Sequence, residues 1–469
     1  MARLLVTHPP GRENERQYVH DVVLRDWLGL DFGTEVAERR DVRITLAGDP
    51  GGRALHLPDV FFPRAAAAWL TQASLPAEPA GTLSPACESG PLQTPVPILF
   101  GEPGREHHHG ELQDGQLRLP IDVFGSVFFL LSRYEEMACE ARDEHERFAG
   151  TGSFSHRFGL LERPLANEYL EILWAGLQRL WPGLERRARA YGVDLTCDVD
   201  VPFCAIGRSW WKIVRSMGAD ILKRRDPHLA LRRLHAKLAR DPVGVQLDPC
   251  NTFDFMMTTG ERHGLKTTFF MMAGVSDRRF DDGYALETPP VAPVLRAIHA
   301  RGHELGLHPS YHTYRDGERL KSEFETLLGA AERLGIRQEA WGGRQHYLRF
   351  SAPETWRHYV SAGLAYDATL AHADQPGFRC GTCYDFPVYD LEQRRPLPLR
   401  ERPLTVMEVT LLDDGYLGLT LEAARERIVR LAAACRRFKG TFRLLWHNYA
   451  LAGRAQRKAY QTTVAEIAP

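Results

Sequence analysis

From residue 193 to 446, short apolar runs alternate with longer amphipathic ones, and this limits the fold more than any other feature of the chain. Strands are expected at 193–197, 266–272, 303–308, 344–347, 364–366, 404–411 and 441–446. Between them, helices are expected at 251–263, 291–301, 324–334, 353–362 and 421–438. Gly264, Gly335 and Gly363 sit where three of these helices should stop. Repeated strand–helix units predict a parallel sheet. Six or seven such units, with polar residues at the C-terminal ends of strands, predict an irregular (β/α) barrel of about seven strands.

The chain has 469 residues, more than a single core accommodates. Residues 1–187 read as a separate N-terminal α/β domain, with the barrel at 188–469. Strands at 3–7, 42–46 and 54–57 and a helix at 18–30 are expected in the first part. A Pro/Gly/Ala-rich loop covers about 76–118. Asp122 is placed to cap the next helix. Arg133, Glu135 and Glu136 could line a site but read better as a solvated helix end, and a helix after Pro164 puts Tyr169, Leu173, Leu177 and Leu180 on one face. Net charge is −1, which argues against nucleic acid as a partner. The first residues carry too short an apolar run for a secretory signal, so a cytoplasmic protein is expected.

Cys380-Gly-Thr-Cys383 is the one CxxC. Without a second pair it reads as two reduced thiols rather than a zinc ribbon. His107-His108-His109 reads as part of a solvated loop. A basic helical insertion interrupts the series at about 208–245. Its stretch 208–241 has ten Lys/Arg against three Asp, and Trp210, Ile213, Val214, Met217 and Ile221 share a helical face. Such a segment either touches an anionic membrane peripherally or packs on the barrel with its basic side in water.

Four strand ends carry groups suited to chemistry. Thr196, Asp198 and Asp200 share one face of an extended chain. His308 and His312 are four apart, with Pro309 placed to open a new helix, and two imidazoles so spaced can hold a divalent metal. Alone, the pair reads slightly better as two hydrogen-bonded histidines at a strand end. Arg344 and His346 share a strand face, and Leu445-Trp446-His447 ends the last strand. A barrel brings all of these to one mouth.

These motifs resemble those of the polysaccharide deacetylase family (carbohydrate esterase family 4) over about 190–450. Thr196, Asp198 and Asp200 match its first motif, His308 and His312 its His-x-x-x-His pair, Thr268-Phe269-Phe270 an intervening strand, Arg344 its third motif and Leu445–His447 its last. Val199 separates Asp residues that are usually adjacent in the family, and the Asp of the fourth motif has only Asp367 or Asp374 as stand-ins. Residues 1–187 resemble an α/β domain that often precedes such barrels. The resemblance implies a metal-dependent N-deacetylase acting on an N-acetylated sugar in a polysaccharide or a lipid-linked glycan precursor. It implies Zn2+, or Co2+ or Ni2+, on Asp200, His308 and His312. Asp198 would be the base, oriented by Arg344, and His447 the acid. A backbone N–H near Tyr311 would help hold the oxyanion, and Tyr311, His346, Arg379 and Trp446 would face substrate. A hydrolase of another C–N amide bond and an inactive carbohydrate-binding scaffold are the alternatives.

Overall fold

The computed structural model describes residues 3–84, 91–104, 106–108, 111–222, 225–239 and 242–469. The N-terminal region is built on a six-stranded sheet of β1 (Arg3–His8), β2 (Asp31–Val36), β3 (Asp41–Leu46), β4 (Ala54–Pro58), β8 (Glu111–Gln113) and β9 (Gln116–Arg118), in the order β2-β1-β3-β4-β9-β8. A small second sheet, β5 (Gly81–Ser84), β6 (Val96–Ile98) and β7 (His107–His108), occupies part of the expected long loop. His107 is half-buried there, and His109 lies outside the described residues. Asp122 caps helix Val123–Leu131, accepting the N–H of Gly125 at 2.8 Å.

The second region is organised on a nine-stranded sheet. Its strands are β10 (Gly192–Val199), β11 (Thr267–Met271), β12 (Glu304–Leu307), β13 (Gly342–Gly343), β14 (Tyr366–Asp367), β15 (Phe386–Asp390), β16 (Arg395–Glu401), β17 (Val406–Met407) and β18 (Thr441–Leu445). The order is β15-β16-β14-β13-β12-β11-β10-β18-β17, and every pairing is parallel except β15 with β16. Among the described residues no ladder joins edge strands β15 and β17, so the sheet is large and parallel without a hydrogen-bonded closure. Its central strands are buried on both faces, which is why they read as nearly continuous apolar runs.

Two expected strands break early. The chain is extended only at Gly342–Gly343, then turns through His346–Leu348 with Tyr347 and Leu348 at φ near +60°. Likewise β17 stops at Met407 and a short helix, Glu408–Leu412, follows. Both breaks aim polar side chains over the C-terminal edge of the sheet.

The two regions share one apolar core. Tyr18 donates its hydroxyl to the Pro387 carbonyl at 2.7 Å, and Phe378 N–H reaches the Leu161 carbonyl at 2.7 Å. Arg133, Glu135 and Glu136 are buried, contrary to the solvated helix end expected of them. Glu136 accepts from Arg379 at 2.8 and 2.7 Å and from Arg133 at 2.9 Å. Burial would raise the Glu136 carboxyl, but the two guanidinium groups hold it well below the usual carboxylate range. Cys380 and Cys383 are buried, free thiols in the same seam. The basic insertion forms two helices, Trp210–Leu222 and Pro227–Leu238, and no helix among the described residues is long and apolar enough to cross a membrane.

Candidate metal centre

Strand β10 sets the site. Its two-residue period turns Thr196 and Asp198 to one side, with Asp200 just past its end. The Asp198 carboxylate receives Arg344 Nη1 at 3.0 Å, and the same nitrogen donates to Thr196 Oγ1 at 2.8 Å. The Thr196 hydroxyl in turn donates to the Leu444 carbonyl, tying three strands together. Arg344 Nε is fixed on the Ala368 carbonyl at 2.8 Å. This arginine is fully buried and has no freedom to leave Asp198.

Three histidines surround Asp200. His308 Nε2 lies 3.1 Å from Asp200 Oδ1, His346 Nε2 lies 3.8 Å from the same oxygen, and His447 Nε2 lies 3.6 Å from Oδ2. Each ring is oriented through its other nitrogen. His308 Nδ1 donates to the Arg344 carbonyl at 2.6 Å, and His346 Nδ1 donates to Asp281 at 3.0 Å. His447 Nδ1 donates to Glu408 at 2.8 Å, and the same oxygen accepts His447 N–H at 3.0 Å. With Nδ1 protonated, His308 and His346 both present an Nε2 lone pair to the space beside Asp200.

That space suits a cation. Asp200, His308 and His346 offer donor atoms all within 4.8 Å of one another. Asp200 Oδ1 and His308 Nε2 are buried and neither has a hydrogen-bond partner, although they are 3.1 Å apart. Two such atoms side by side without a bond are costly unless something bridges them. Burial alone would lower the His308 pKa, but the carboxylates of Asp198 and Asp200 beside the ring push it up. Asp281 is suited to support His346. Burial would raise its carboxyl, yet the His346 hydrogen bond and the N–H groups of Asp277 and Ser276 bring it down to about 2.

His312 stands outside this set, a departure from the pair expected at 308 and 312. No helix begins at Pro309, so the four-residue spacing does not stack the two rings. Successive amides are instead captured by side chains: Ser310 N–H by Glu323, Tyr311 N–H by Asp281 and His312 N–H by Ser276 Oγ. The turn so fixed sends the His312 ring outward, half-exposed, with Nε2 3.6 Å from Asp277. His346, expected to touch substrate, takes the third position in the cluster.

Other expected site residues fall elsewhere. The Tyr311 amide is committed to Asp281, and its ring stacks on Phe280 at 4.1 Å, with its hydroxyl on His145. Arg379 is buried on Glu136, so it is no part of a sugar-binding rim. Trp446 is buried against Tyr460. Asp367 is spent on Thr369, and Asp374 on Gly150 and Thr151. Glu408 and Asp281, which hold His447 and His346, are carboxylates of the site that the sequence does not point to. Neither had a spacing that could reveal it.

The cluster lies at the bottom of a cleft of about 530 Å³. Phe280, Tyr347, Tyr416 and Tyr449 provide aromatic walls, with Asp413 and Arg147 among the polar ones. Arg147 belongs to the N-terminal region, where it pairs with Asp143 and donates to the Tyr347 carbonyl at 3.0 Å. Burial would lower the His447 pKa, but Glu408 first and Asp200 next push it up to about 10. A second compact group, Cys204, Asp248 and Cys250, differs in kind. The Asp248 oxygens there accept the N–H groups of Cys204, Ala205, Ile206 and Cys250, so that carboxylate holds a loop.

Residues 4–182 match a family of unknown function, DUF7033. No curated protein matches the chain. Among solved structures, the chain is similar to a putative polysaccharide deacetylase from Mycobacterium smegmatis, with 18% identity and a TM-score of 0.38 over 60% of this chain and 85% of that one. It is also similar to Puue Allantoinase, with 14% identity and a TM-score of 0.35 over 61% and 85%. These are weak, distant likenesses. The chemistry of the site rests on this chain's own side chains, a buried His/Asp cluster able to hold a divalent metal.

Proposed function

We propose that this chain is a metal-dependent hydrolase that removes the acetyl group from an N-acetylated amino sugar, in a polysaccharide or a lipid-linked glycan precursor. One observation carries the reading. The donor atoms of Asp200, His308 and His346 converge, with the Arg344-bound Asp198 on one side and the Glu408-bound His447 on the other. Amide hydrolysis needs a base for water, an acid for the departing nitrogen and a positive centre at the carbonyl oxygen. This cluster supplies the first two and a seat for the third.

Two imidazoles and one carboxylate suit Zn2+, and also Co2+ or Ni2+. When held there, such an ion would supply a positive centre for the amide carbonyl and would lower the pKa of a bound water. Asp198 accepts the proton of the attacking water, held in place by Arg344. The C–N bond breaks as His447, kept protonated by Glu408, gives its proton to the leaving nitrogen. Acetate and a free amine result, and the proton on Asp198 returns to His447 through solvent. Aromatic walls with a few polar groups suit the faces and hydroxyls of a sugar ring.

The test is acetate release from N-acetylglucosamine oligomers before and after chelation, with Zn2+ or Co2+ added back. Asp198→Asn should keep the metal and lose turnover by about 10²–10⁴-fold, the range for a general base. A chelated protein that stays active contradicts the reading. Cleavage of a different amide without acetate points to another C–N hydrolase, and glycan binding without cleavage to a scaffold.

A further inference from the structure

We propose that the helical hairpin Trp210–Leu222 and Pro227–Leu238 docks on an anionic phospholipid surface. Exposed large apolar side chains are concentrated there. Of the thirteen among the described residues, seven fall in the hairpin, including Trp211 at 67%, Leu222 at 80% and Leu238 at 62% exposure, and two more, Val243 and Leu247, in the short helix that follows it. The helices do not spend this surface on each other. Ile213 is buried with Ala205 and Ala236, whereas Trp210, Val214 and Ile221, expected on the same face, point outward. Turning Ile213 and, in part, Met217 inward while leaving their apolar neighbours in water is costly unless those neighbours meet a partner.

Charge selects the partner. Residues 208–241 carry ten Lys/Arg against three Asp. Arg208, Lys212, Arg215 and Arg233 line a depression of about 390 Å³ between the helices. Arg208 pairs with Asp282 and Arg233 with Asp220, while Lys212 and Arg215 have no carboxylate partner among the described residues. A second copy of the chain would bring like charge against like charge across a two-fold contact. A nucleic acid would satisfy the cations but leave Leu222 and Leu238 in water. An anionic bilayer satisfies both, with Trp and Leu entering the interface and Lys and Arg meeting lipid phosphates.

The hairpin also borders the catalytic cleft, because Asp282, the partner of Arg208, lines that cleft. Docking would therefore hold the cleft beside the surface, where a lipid-linked glycan would be met. That consequence rests on the deacetylase reading; the docking itself does not.

The test is co-sedimentation of the full chain with phosphatidylcholine vesicles containing about one-third phosphatidylglycerol, at about 0.1 M salt. Binding should fall steeply on removing the anionic lipid. Lys212→Gln with Arg215→Gln should weaken it by about 30-fold, at about fivefold per charge. Trp211→Ser with Leu222→Ser should weaken it by at least about tenfold. Thermal melting of both variants, expected at the wild-type midpoint, shows that the fold is intact. Absence of sedimentation, equal sedimentation with pure phosphatidylcholine, or wild-type sedimentation of both variants overturns the proposal. So does a dimer that Leu222→Ser dissociates in a chain that ignores vesicles. Docking by a chain that releases no acetate supports the surface and counts against the catalytic reading alone.

Discussion

Glu408→Gln isolates the part His447 plays. The substitution keeps the side-chain shape and the oxygen that accepts His447 Nδ1–H and N–H, at 2.8 and 3.0 Å, but removes the negative charge. Glu408 is the leading positive influence on a ring whose pKa is pushed up to about 10 against the effect of burial. A hydrogen bond to a charged group contributes about 1.5–3 kcal/mol. If that stabilises the protonated ring as it delivers its proton, kcat should fall by about 10- to 150-fold. The sign of the pH effect follows. The protonated ring is present below its folded pKa and lost above it, so a lower pKa should move the alkaline limb of activity to lower pH. Metal content should not change, since Glu408 contacts none of Asp200, His308 and His346 in the proposed ligand set. Acetate release measured across pH, beside metal analysis, tests all three statements. Unchanged kcat with an unmoved alkaline limb would refute the assignment of His447 as acid, and lost metal would refute the ligand set.

Asp281→Asn should weaken metal binding by about 10- to 100-fold, the usual effect of removing the carboxylate behind a ligating histidine, read by competition with a chromogenic chelator. Glu136→Gln should leave the buried guanidinium groups of Arg133 and Arg379 without their counter-charge and cost about 3–5 kcal/mol, seen as a lower urea midpoint at an unchanged slope.

The sequence shows the parallel sheet because its buried strands and Gly-stopped helices alternate on either side of the 208–245 insertion. It also shows which ends matter: Asp198, Asp200, Arg344 and His447 are brought together because parallel strands put their C-terminal ends on one edge. The outward turn of His312, away from the cluster, is invisible there, because it depends on three amides captured by Glu323, Asp281 and Ser276 from other segments. Arg379 and Trp446 suggested a rim through their residue type and nearness to motifs. Burial on Glu136 and Tyr460 decides otherwise, and only the packed N-terminal region and the last helix reveal it. Glu408 reaches His447 because a strand expected to run on breaks at Met407, which apolar periodicity does not signal. The hairpin at 210–238 was legible as amphipathic, but the turning of Ile213 inward and Trp211 outward required the helices to be packed.

Metal stoichiometry in His346→Ala and His312→Ala tests the central claim most directly. The geometry predicts about one bound divalent ion in the wild type and in His312→Ala, and its loss in His346→Ala. Full metal in His346→Ala with loss in His312→Ala would contradict it and restore the pair that sequence spacing alone suggests.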